Sequence, residues 1–305
     1  MSFVVLVIIE PMDTKTKIIL TFALILIGLG IILIIQSQNL GKLRIIFCDV
    51  GQGDGMLIIS PDGHQAVVDA GAGTKMADCL SKYMPFWDRT IELALPTHAH
   101  QEHMEGFVQI LAAYNVKAAI TTGVANTGAQ FYDVWQKALA SEHSKVYAPN
   151  MGQLILLDPS SANQSPKLEV LWPDAAHIEK WKKDPPADLN DTSIVMRLTY
   201  GEFCAYLTGD LPKEILELLV NKHCQVLKVV HHGSKTGTNE KILNDINPQL
   251  AVIQVGANNK FGHPNKEVTD LLLSKGVKTY RNDTNGIIEI DTDGKSFKVK
   301  VEKSN

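Results

Sequence analysis

The chain has 305 residues, of which 29 are basic and 33 acidic, with a formal net charge of −4. Neither sign forms a long block, which excludes a surface that coats nucleic acid, so any nucleic acid must bind locally. The length is sufficient for a large core, and one α/β domain is favoured over two small ones.

The N-terminal part predicts a membrane anchor. No charged residue occurs from Ile18 to Ile35, and about 18 residues at a rise of ~1.5 Å span roughly the hydrocarbon core of a bilayer. The polar residues that follow lack the small-residue pattern of a signal-peptidase site, so we expect the helix to remain uncleaved. The predicted organisation is a short segment at 1–17, a single-pass anchor at 18–36, a linker at 37–42 and an extracytoplasmic domain at 43–305.

The four cysteines show none of the close C-x-x-C spacings of a zinc knuckle or a redox motif. Cys48 and Cys204 lie in apolar, strand-like runs, where a free cysteine packs as a small hydrophobic residue. One disulfide is the alternative, but a domain of this size does not depend on disulfides. We therefore expect the cysteines to serve packing.

Beyond the linker, strand-like and helix-like runs alternate along the chain. In the first half, strands are predicted at 43–50, 56–59, 65–69 and 93–96, and helices at 76–84, 103–114 and 128–142. After a loop-rich stretch at 150–191, strands are predicted at 193–200, 203–208, 225–230 and 250–255, helices at 213–221, 239–245 and 266–275, and final strands near 278, 286 and 296. Two β-rich halves with helices predict an α/β fold in which two sheets pack face to face between helical layers, an αββα sandwich.

The densest group of ligand-type residues follows the predicted strand at 93–96. It comprises His98, His100, Glu102 and His103 within six residues, a set typical of a metal site. In a strand-to-helix turn, His98 and His100 can point the same way, while Glu102 and His103 reach a second centre, so the spacing suits two metal ions. A polar loop whose histidines cap the helix is the alternative.

Two further segments place ligand-type residues after strands. Asp210 follows the strand at 203–208, where its carboxylate can bridge two cations, although it would equally suit a helix N-cap. His231 and His232 follow the strand at 225–230; one is a candidate ligand and the other orients a ligand or contacts substrate, unless both are ordinary loop histidines. Because strand ends converge on one edge of an α/β core, we expect these residues to form one site.

Taken in order, these residues resemble the metallo-β-lactamase superfamily over roughly residues 43–300. The matching residues are Asp69, His98, His100, Glu102, His103, Asp210 and His231 or His232. The segments at 49–54, 190–193, 207–210, 231–236 and 262–264 resemble one branch of it, which includes the C-terminal domain of the DNA-internalisation competence protein ComEC. The resemblance implies the αββα fold and a divalent metal site.

The sequence departs from the superfamily pattern at the proposed ligands. Glu102 replaces the usual Asp, and no histidine stands at the third-ligand position, where the ComEC-like branch has the segment with Asn190 and Ser193. We expect Asp69, Asp54, Asn190 and Ser193 to support the site rather than bind metal. Two ions are possible, with zinc expected before manganese because histidines dominate the set.

The resemblance implies a metal-dependent hydrolase, for which we expect a phosphodiesterase or nuclease that uses a metal-activated hydroxide. Asp210, His232 and His263 are the candidate catalytic residues, the two histidines as substrate-binding or proton-donating groups. The alternatives are an ester, lactone or thioester hydrolase, and a non-catalytic binding protein with a degenerate site. Expected partners are DNA or another phosphodiester and, through the anchor, the membrane; no obligate protein partner is predicted.

Overall fold

The computed structural model describes residues 13–39, 41–161 and 164–303. They divide into two compact units, with the boundary between residues 40 and 41. The first unit contains the helix α1, Thr14–Asn39. This helix includes residues 37–39, which the sequence pattern assigned to a linker.

The prediction of a membrane anchor is wrong. Among the residues that the structure describes, no helix combines the length and the apolar character needed to cross a bilayer. The absence of charge from 18 to 35 is a weaker requirement than the sustained apolar character that a membrane span needs. The single-pass anchor at 18–36 and the membrane localisation derived from it are therefore not supported.

The second unit contains the remaining described elements. The helices are α2 Lys75–Tyr83, α3 Gln101–Met104, α4 Phe107–Ala113, α5 Gln130–Ser141, α6 Ala175–Trp181, α7 Lys213–Leu219, α8 Glu240–Ile246, α9 Lys266–Ser274 and α10 Asn282–Asn285. The strands are β1 Leu43–Phe47, β2 Gly55–Ile59, β3 Gln65–Ala70, β4 Thr90–Leu95, β5 Asn115–Ile120, β6 Lys145–Tyr147, β7 Leu154–Leu156, β8 Lys167–Trp172, β9 Val195–Tyr200, β10 Phe203–Leu207, β11 Val226–Lys228, β12 Leu250–Ile253, β13 Lys278–Arg281, β14 Ile288–Thr292 and β15 Phe297–Val301.

The strands form two sheets with matching internal organisation. One has eight strands in the order β15-β14-β1-β2-β3-β4-β5-β6, and the other has seven in the order β13-β12-β11-β10-β9-β8-β7. Each sheet pairs antiparallel on one side and parallel on the other: β3 to β6 are parallel, as are β10 to β13. The carboxyl ends of the parallel strands therefore lie at one edge of each sheet, which is where α/β folds place their sites.

Side chains that point alternately to the two faces of each sheet form three apolar layers. In β1, Leu43, Ile45 and Phe47 lie in the core that contains residues of both sheets, whereas Ile46 lies in the layer with α2, α4 and α5. A third layer packs the opposite face of the second sheet against α6 to α9. Because successive strand residues point to opposite faces, both sheets are covered on both sides. The predicted αββα arrangement is confirmed for this unit.

All four cysteines are disulfide-bonded, contrary to the expectation of packing alone. Cys48 after β1 bonds to Cys79 in α2, and Cys204 in β10 bonds to Cys224 before β11. The apolar surroundings predicted for Cys48 and Cys204 are confirmed, and Cys79 and Cys224 are buried in the same apolar layers. Each partner, however, is distant in sequence, by 31 and 20 residues, so that only the packing of α2 on β1 and of β11 beside β10 brings the sulfur atoms together.

Candidate metal centre

The site lies beyond the carboxyl ends of four parallel strands. Asp69 stands near the end of β3, His98 to His103 follow β4, Asp210 follows β10, and His231 and His232 follow β11. Asp69, His231 and His232 have φ angles of 55°, 50° and 55°. This backbone region costs a non-glycine residue of order 1 kcal/mol or more, and such strain concentrates where a site requires a particular side-chain direction.

His103 lies fully buried between two carboxylates. Its Nδ1 donates to Asp69 Oδ2 at 3.0 Å, and its Nε2 lies 3.1 Å from Asp210 Oδ2. The Thr97 amide and hydroxyl also donate to Asp69, at 2.7 and 2.9 Å. These three donors hold the Asp69 carboxylate in place, and Asp69 in turn orients the His103 ring. Such a pair of carboxylate and histidine leaves Nε2 of the histidine free to bind a metal.

His98 is oriented by hydroxyl groups. Its Nδ1 lies 3.1 Å from Thr97 Oγ1 and 3.3 Å from Ser193 Oγ. Because the Thr97 hydroxyl donates to Asp69, its oxygen can accept the proton of His98 Nδ1, which leaves Nε2 with a free lone pair. That Nε2 lies 3.0 Å from Nδ1 of His100. His98 therefore links His100 to the ligand group that it forms with His103 and Asp210.

Asp210 is the centre of the group. Its Oδ2 lies 3.1 Å from His103 Nε2, 3.4 Å from His232 Nε2 and 3.7 Å from His231 Nε2. Its amide donates to Ser193 Oγ at 3.1 Å, which ties the two segments together. His232 Nδ1 donates to the Gln254 carbonyl at 2.9 Å, so in the neutral imidazole Nε2 is the atom with a free lone pair.

The charges of this group are arranged to favour a cation. Burial would lower the pKa of His103, but the carboxylates of Asp210 and Asp69 outweigh it and raise that pKa well above its ordinary value. In the same way Asp210 and Asp54 overcome burial and raise the pKa of His232 to about 9. Burial and the neighbouring His103 hold the pKa of His98 well below its ordinary value. Protons on His103 and His232 thus balance the carboxylates, and a divalent ion can replace them.

The side chains present fit a divalent ion. His98, His103 and Asp210 offer ligand atoms within 4.8 Å of one another, and so do two overlapping groups that contain Asp54. Asp210 Oδ1 and His232 Nε2 are buried and lack a hydrogen-bond partner among the described residues. Such atoms are costly unless something unseen satisfies them. A nitrogen-rich set with one carboxylate suits a transition-metal ion.

Comparison with known proteins gives curated relatives that the chain matches over part of their length. No family model matches the chain. ComE operon protein 3 of Bacillus subtilis (strain 168) is 27% identical over 264 residues, which cover 79% of this chain and 32% of the relative. Competence protein ComA of Neisseria gonorrhoeae is 35% identical over 107 residues, 33% of this chain and 16% of the relative. Recombination protein 2 of Haemophilus influenzae is 27% identical over 261 residues, 83% of this chain and 29% of the relative.

Solved structures show the same fold at low identity. The metallo-β-lactamase fold protein YhfI from Bacillus subtilis superimposes with a TM-score of 0.54 at 14% identity, covering 81% of this chain and 99% of that one. The CmlA β-hydroxylase E377D mutant gives a TM-score of 0.51 at 13% identity, with 82% and 54% covered.

The chain is a ComEC-like protein of the metallo-β-lactamase fold. It spans about a third or less of the length of the curated relatives it matches.

The ComEC-like chain brings only part of the predicted ligand set into the buried group. His98, His103 and Asp210 lie together, and His100 adjoins them through His98. His231 is about a quarter exposed and 3.7 Å from Asp210. These assignments as metal ligands remain predictions.

Glu102 and His232 differ most from the predicted roles. The Glu102 carboxylate belongs to none of the ligand groups found among the described residues, whereas its backbone carbonyl accepts from the amide of Asp54 at 3.2 Å. His232, predicted as a catalytic group, lies within the ligand group formed with Asp54 and Asp210. His263 lies further out, with ring centroids 5.6 Å from His231 and 6.3 Å from His232.

The predicted supporting residues have distinct surroundings. Ser193 contacts both His98 and Asp210 through its hydroxyl. Asn190 has a buried amide oxygen that lacks a hydrogen-bond partner among the described residues. Asp54 is fully buried against His232 and Lys228.

Sequence reasoning missed Lys228 and Gln254, which are both completely buried. The Lys228 ammonium contacts Asp54 Oδ2 and lies 3.8 Å from Asp210 Oδ1. One signal could have revealed it: a single lysine inside an apolar strand run, Val226-Leu227-Lys228-Val229-Val230, is rarely buried without a charged partner.

Proposed function

We propose that the ComEC-like chain is a metal-dependent phosphodiesterase that cleaves nucleic acid strands. The observation that carries the proposal is the buried group of His98, His103 and Asp210, completed by His232 Nε2, at the edge where the parallel strands end. A structural core needs none of these polar groups. The relatives are competence and recombination proteins, which favours DNA as the substrate.

The ligands that would hold the metal are His98, His103 and Asp210, with His100, His231 and His232 adjoining them. A divalent ion bound there supplies Lewis-acid chemistry that activates water and offsets the charge of a phosphodiester. Zinc is the first expectation because imidazoles dominate the set, and manganese is the second. One ion or two can be accommodated by this set of donors.

Protein groups prepare this chemistry by fixing proton positions. Asp69 keeps the proton of His103 on Nδ1, and Gln254 does the same for His232. In each case the nitrogen that faces Asp210 is left to bind the metal. Burial lowers the pKa of His231 and of His263. The neighbouring His232 lowers the pKa of His263 further. Both rings are therefore largely neutral near pH 7, with an N–H available for a phosphate oxygen or for proton transfer at the leaving oxygen.

An aromatic surface beside the site supports a nucleic acid substrate. Phe261 is 62% exposed, and its ring lies at 23° to that of His263 with centroids 5.9 Å apart. An exposed ring can stack on a nucleobase, which is worth about 1–3 kcal/mol per base. The exposed Lys260 next to it adds a cation for the phosphate backbone. This local surface is consistent with a chain whose net charge is −4.

The test is a cleavage assay with the full chain. Single-stranded DNA and a chromogenic phosphodiester are incubated with Zn²⁺ or Mn²⁺, beside an ester, a lactone and a thioester substrate. The variants are His103→Ala and, as a matched control, His223→Ala, which changes an exposed histidine. We expect metal-dependent cleavage of DNA that is lost in His103→Ala and retained in His223→Ala. Cleavage of the carboxylic substrates alone would replace the phosphodiesterase proposal, and no cleavage with any metal would favour a binding protein.

A further inference from the structure

Lys228 is a completely buried lysine in the second sheet. It is the last residue of β11, whose three side chains are all buried, and its own exposure is 0%. Removing an ammonium from water costs several kcal/mol unless it is paired and hydrogen-bonded. The surroundings must therefore supply acceptors that offset this cost.

Three oxygen atoms from three residues supply those acceptors. The ammonium donates to the Gly209 carbonyl at 3.0 Å, contacts Asp54 Oδ2, and lies 3.8 Å from Asp210 Oδ1. Such an arrangement of carboxylate and carbonyl oxygens around one cation is what a hard divalent ion selects. Lys228 thus fills a position that is electrostatically suited to a metal ion.

The same carboxylates form a ligand group in their own right. Asp54, Asp210 and His232 offer ligand atoms within 4.8 Å of one another. Both Asp54 oxygens and Asp210 Oδ1 lack a hydrogen-bond partner among the described residues, apart from their ion-pair contacts. The only lysine or arginine that the described ion pairs place at this group is Lys228.

We propose that the Lys228 ammonium is a built-in cation that occupies a metal position formed by Asp54, Asp210 and His232, and so confines divalent ions to the His98 side of Asp210. Lys228 is then a positioning residue. It neutralises Asp54, and it holds the Asp210 segment through Gly209 so that Oδ2 faces His103 and His232. The inference rests on the proposed function in so far as Asp210 is taken to bind metal.

The experiment counts Mn²⁺ ions per full chain, by elemental analysis after unbound metal is removed. The variants are Lys228→Met, which keeps the volume and deletes the charge, Asp54→Asn, and the double variant Lys228→Met/Asp54→Asn. Lys241→Met, which changes an exposed helix lysine, is the matched control. Mn²⁺ is chosen because the opened position is rich in oxygen.

We expect Lys228→Met to bind one ion more than the wild type, and the double variant to return to the wild-type number. Asp54→Asn and Lys241→Met should both bind the wild-type number. No gain in Lys228→Met would overturn the inference, as would the loss of an ion in Asp54→Asn. If Lys228→Met does not fold, Asp54→Asn alone decides, because a metal ligand and the counter-ion of a lysine give opposite results.

The outcome is separable from that of the proposed function. A wild type that binds no ion contradicts the metal-dependent hydrolase, whereas the difference between Lys228→Met and the wild type still decides whether Lys228 fills an ion position. Conversely, the wild type could be active while Asp54→Asn binds one ion fewer. That result would support the proposed hydrolase and contradict the role inferred for Lys228.

Discussion

At the scale of single residues, the site is organised by hydrogen bonds that determine which nitrogen of each histidine carries a proton. Asp69 performs this task for His103 and is itself held by Thr97. The sequence identified Asp69 as a supporting residue by its place in a motif. It could not reveal the partner, because the contact between β3 and α3 exists only in the folded chain.

Asp69→Asn tests this orienting role. An amide in place of the carboxylate competes as a donor and no longer fixes the His103 proton on Nδ1, so we expect Zn²⁺ affinity to fall by about 10- to 100-fold. A competition titration with a chromogenic chelator measures it. Asp78→Asn, on the exposed face of α2, is the control and should bind zinc like the wild type. Equal affinity in the two variants would reject the role of Asp69.

The raised pKa of His232 predicts a pH dependence of stability in the metal-free chain. Its pKa is about 9 in the folded protein, against an ordinary value of 6.5. Protonated His232 therefore stabilises the fold fully below about pH 6.5, and this contribution is lost as the pH rises through 9. Denaturant unfolding between pH 6 and 10 should show the decline, and His232→Gln should make it shallower, while the raised pKa of His103 maintains part of it. A wild-type profile that coincides with that of His232→Gln would contradict the prediction.

At the scale of elements, the helix predicted at 103–114 is divided at Gly106 into α3 and α4. A Cβ at Gly106 would lie 2.1 Å from the carbonyl oxygen of Ala70. The glycine thus allows α3, which carries His103, to lie directly on the end of β3. The apolar periodicity of the sequence is continuous here, so that only the close approach of the two backbones reveals the break.

Gly106→Ala should displace α3 from β3. The φ of Gly106 is −60°, which alanine can also adopt, so the backbone conformation causes no strain. The effect is therefore steric, because the new Cβ would collide with the backbone of Ala70. We expect the variant to lose about 2 kcal/mol or more of unfolding free energy. Urea denaturation measures this cost, and Zn²⁺ affinity should fall with it. The control is Gly28→Ala in α1, where a Cβ meets nothing within 4 Å. It should not destabilise the chain, because alanine is favoured over glycine inside a helix by about 1 kcal/mol.

The stretch at 150–191 was the least predictable part of the chain. The sequence indicates short strands among Pro- and Asp-rich loops there, and the structure shows the strands β7 and β8 and, beyond the prediction, the helix α6. β7 has only three residues and ends the second sheet, whereas the six-residue β8 pairs with β9, which lies outside this stretch. Such strands depend on pairing with a neighbour that lies elsewhere in the sequence, a property that local propensity does not contain.

At the scale of the whole molecule, the two-sheet α/β architecture and the resemblance to ComEC-like proteins were predictable, because alternating apolar strands and the order of the motifs are local properties of the sequence. The disulfides and the Lys228–Asp54 pair were not, since each joins residues that only tertiary packing brings together. The predicted anchor failed for a different reason: an uncharged run shows only that charges are absent, and not the combination of length and apolar character that a membrane span needs.

The disulfide between Cys204 and Cys224 should contribute stability without affecting the site. It lies at the start of β10, whereas Asp210 follows the end of that strand. For a loop of 20 residues, we expect the double variant Cys204→Ala/Cys224→Ala to lose about 3 kcal/mol of unfolding free energy. Zn²⁺ affinity, measured below the unfolding transition, should remain unchanged. A loss of affinity in the folded variant would show that this bond supports the site.

The most direct test of the metal centre is the anomalous scattering of crystals of the full chain that contain Zn²⁺ or Mn²⁺. We expect a peak bounded by Nε2 of His98, Nε2 of His103 and Oδ2 of Asp210, with no peak at the position of the Lys228 ammonium. A peak between Asp54 and Asp210, or the absence of any peak among the three ligands, would contradict this expectation.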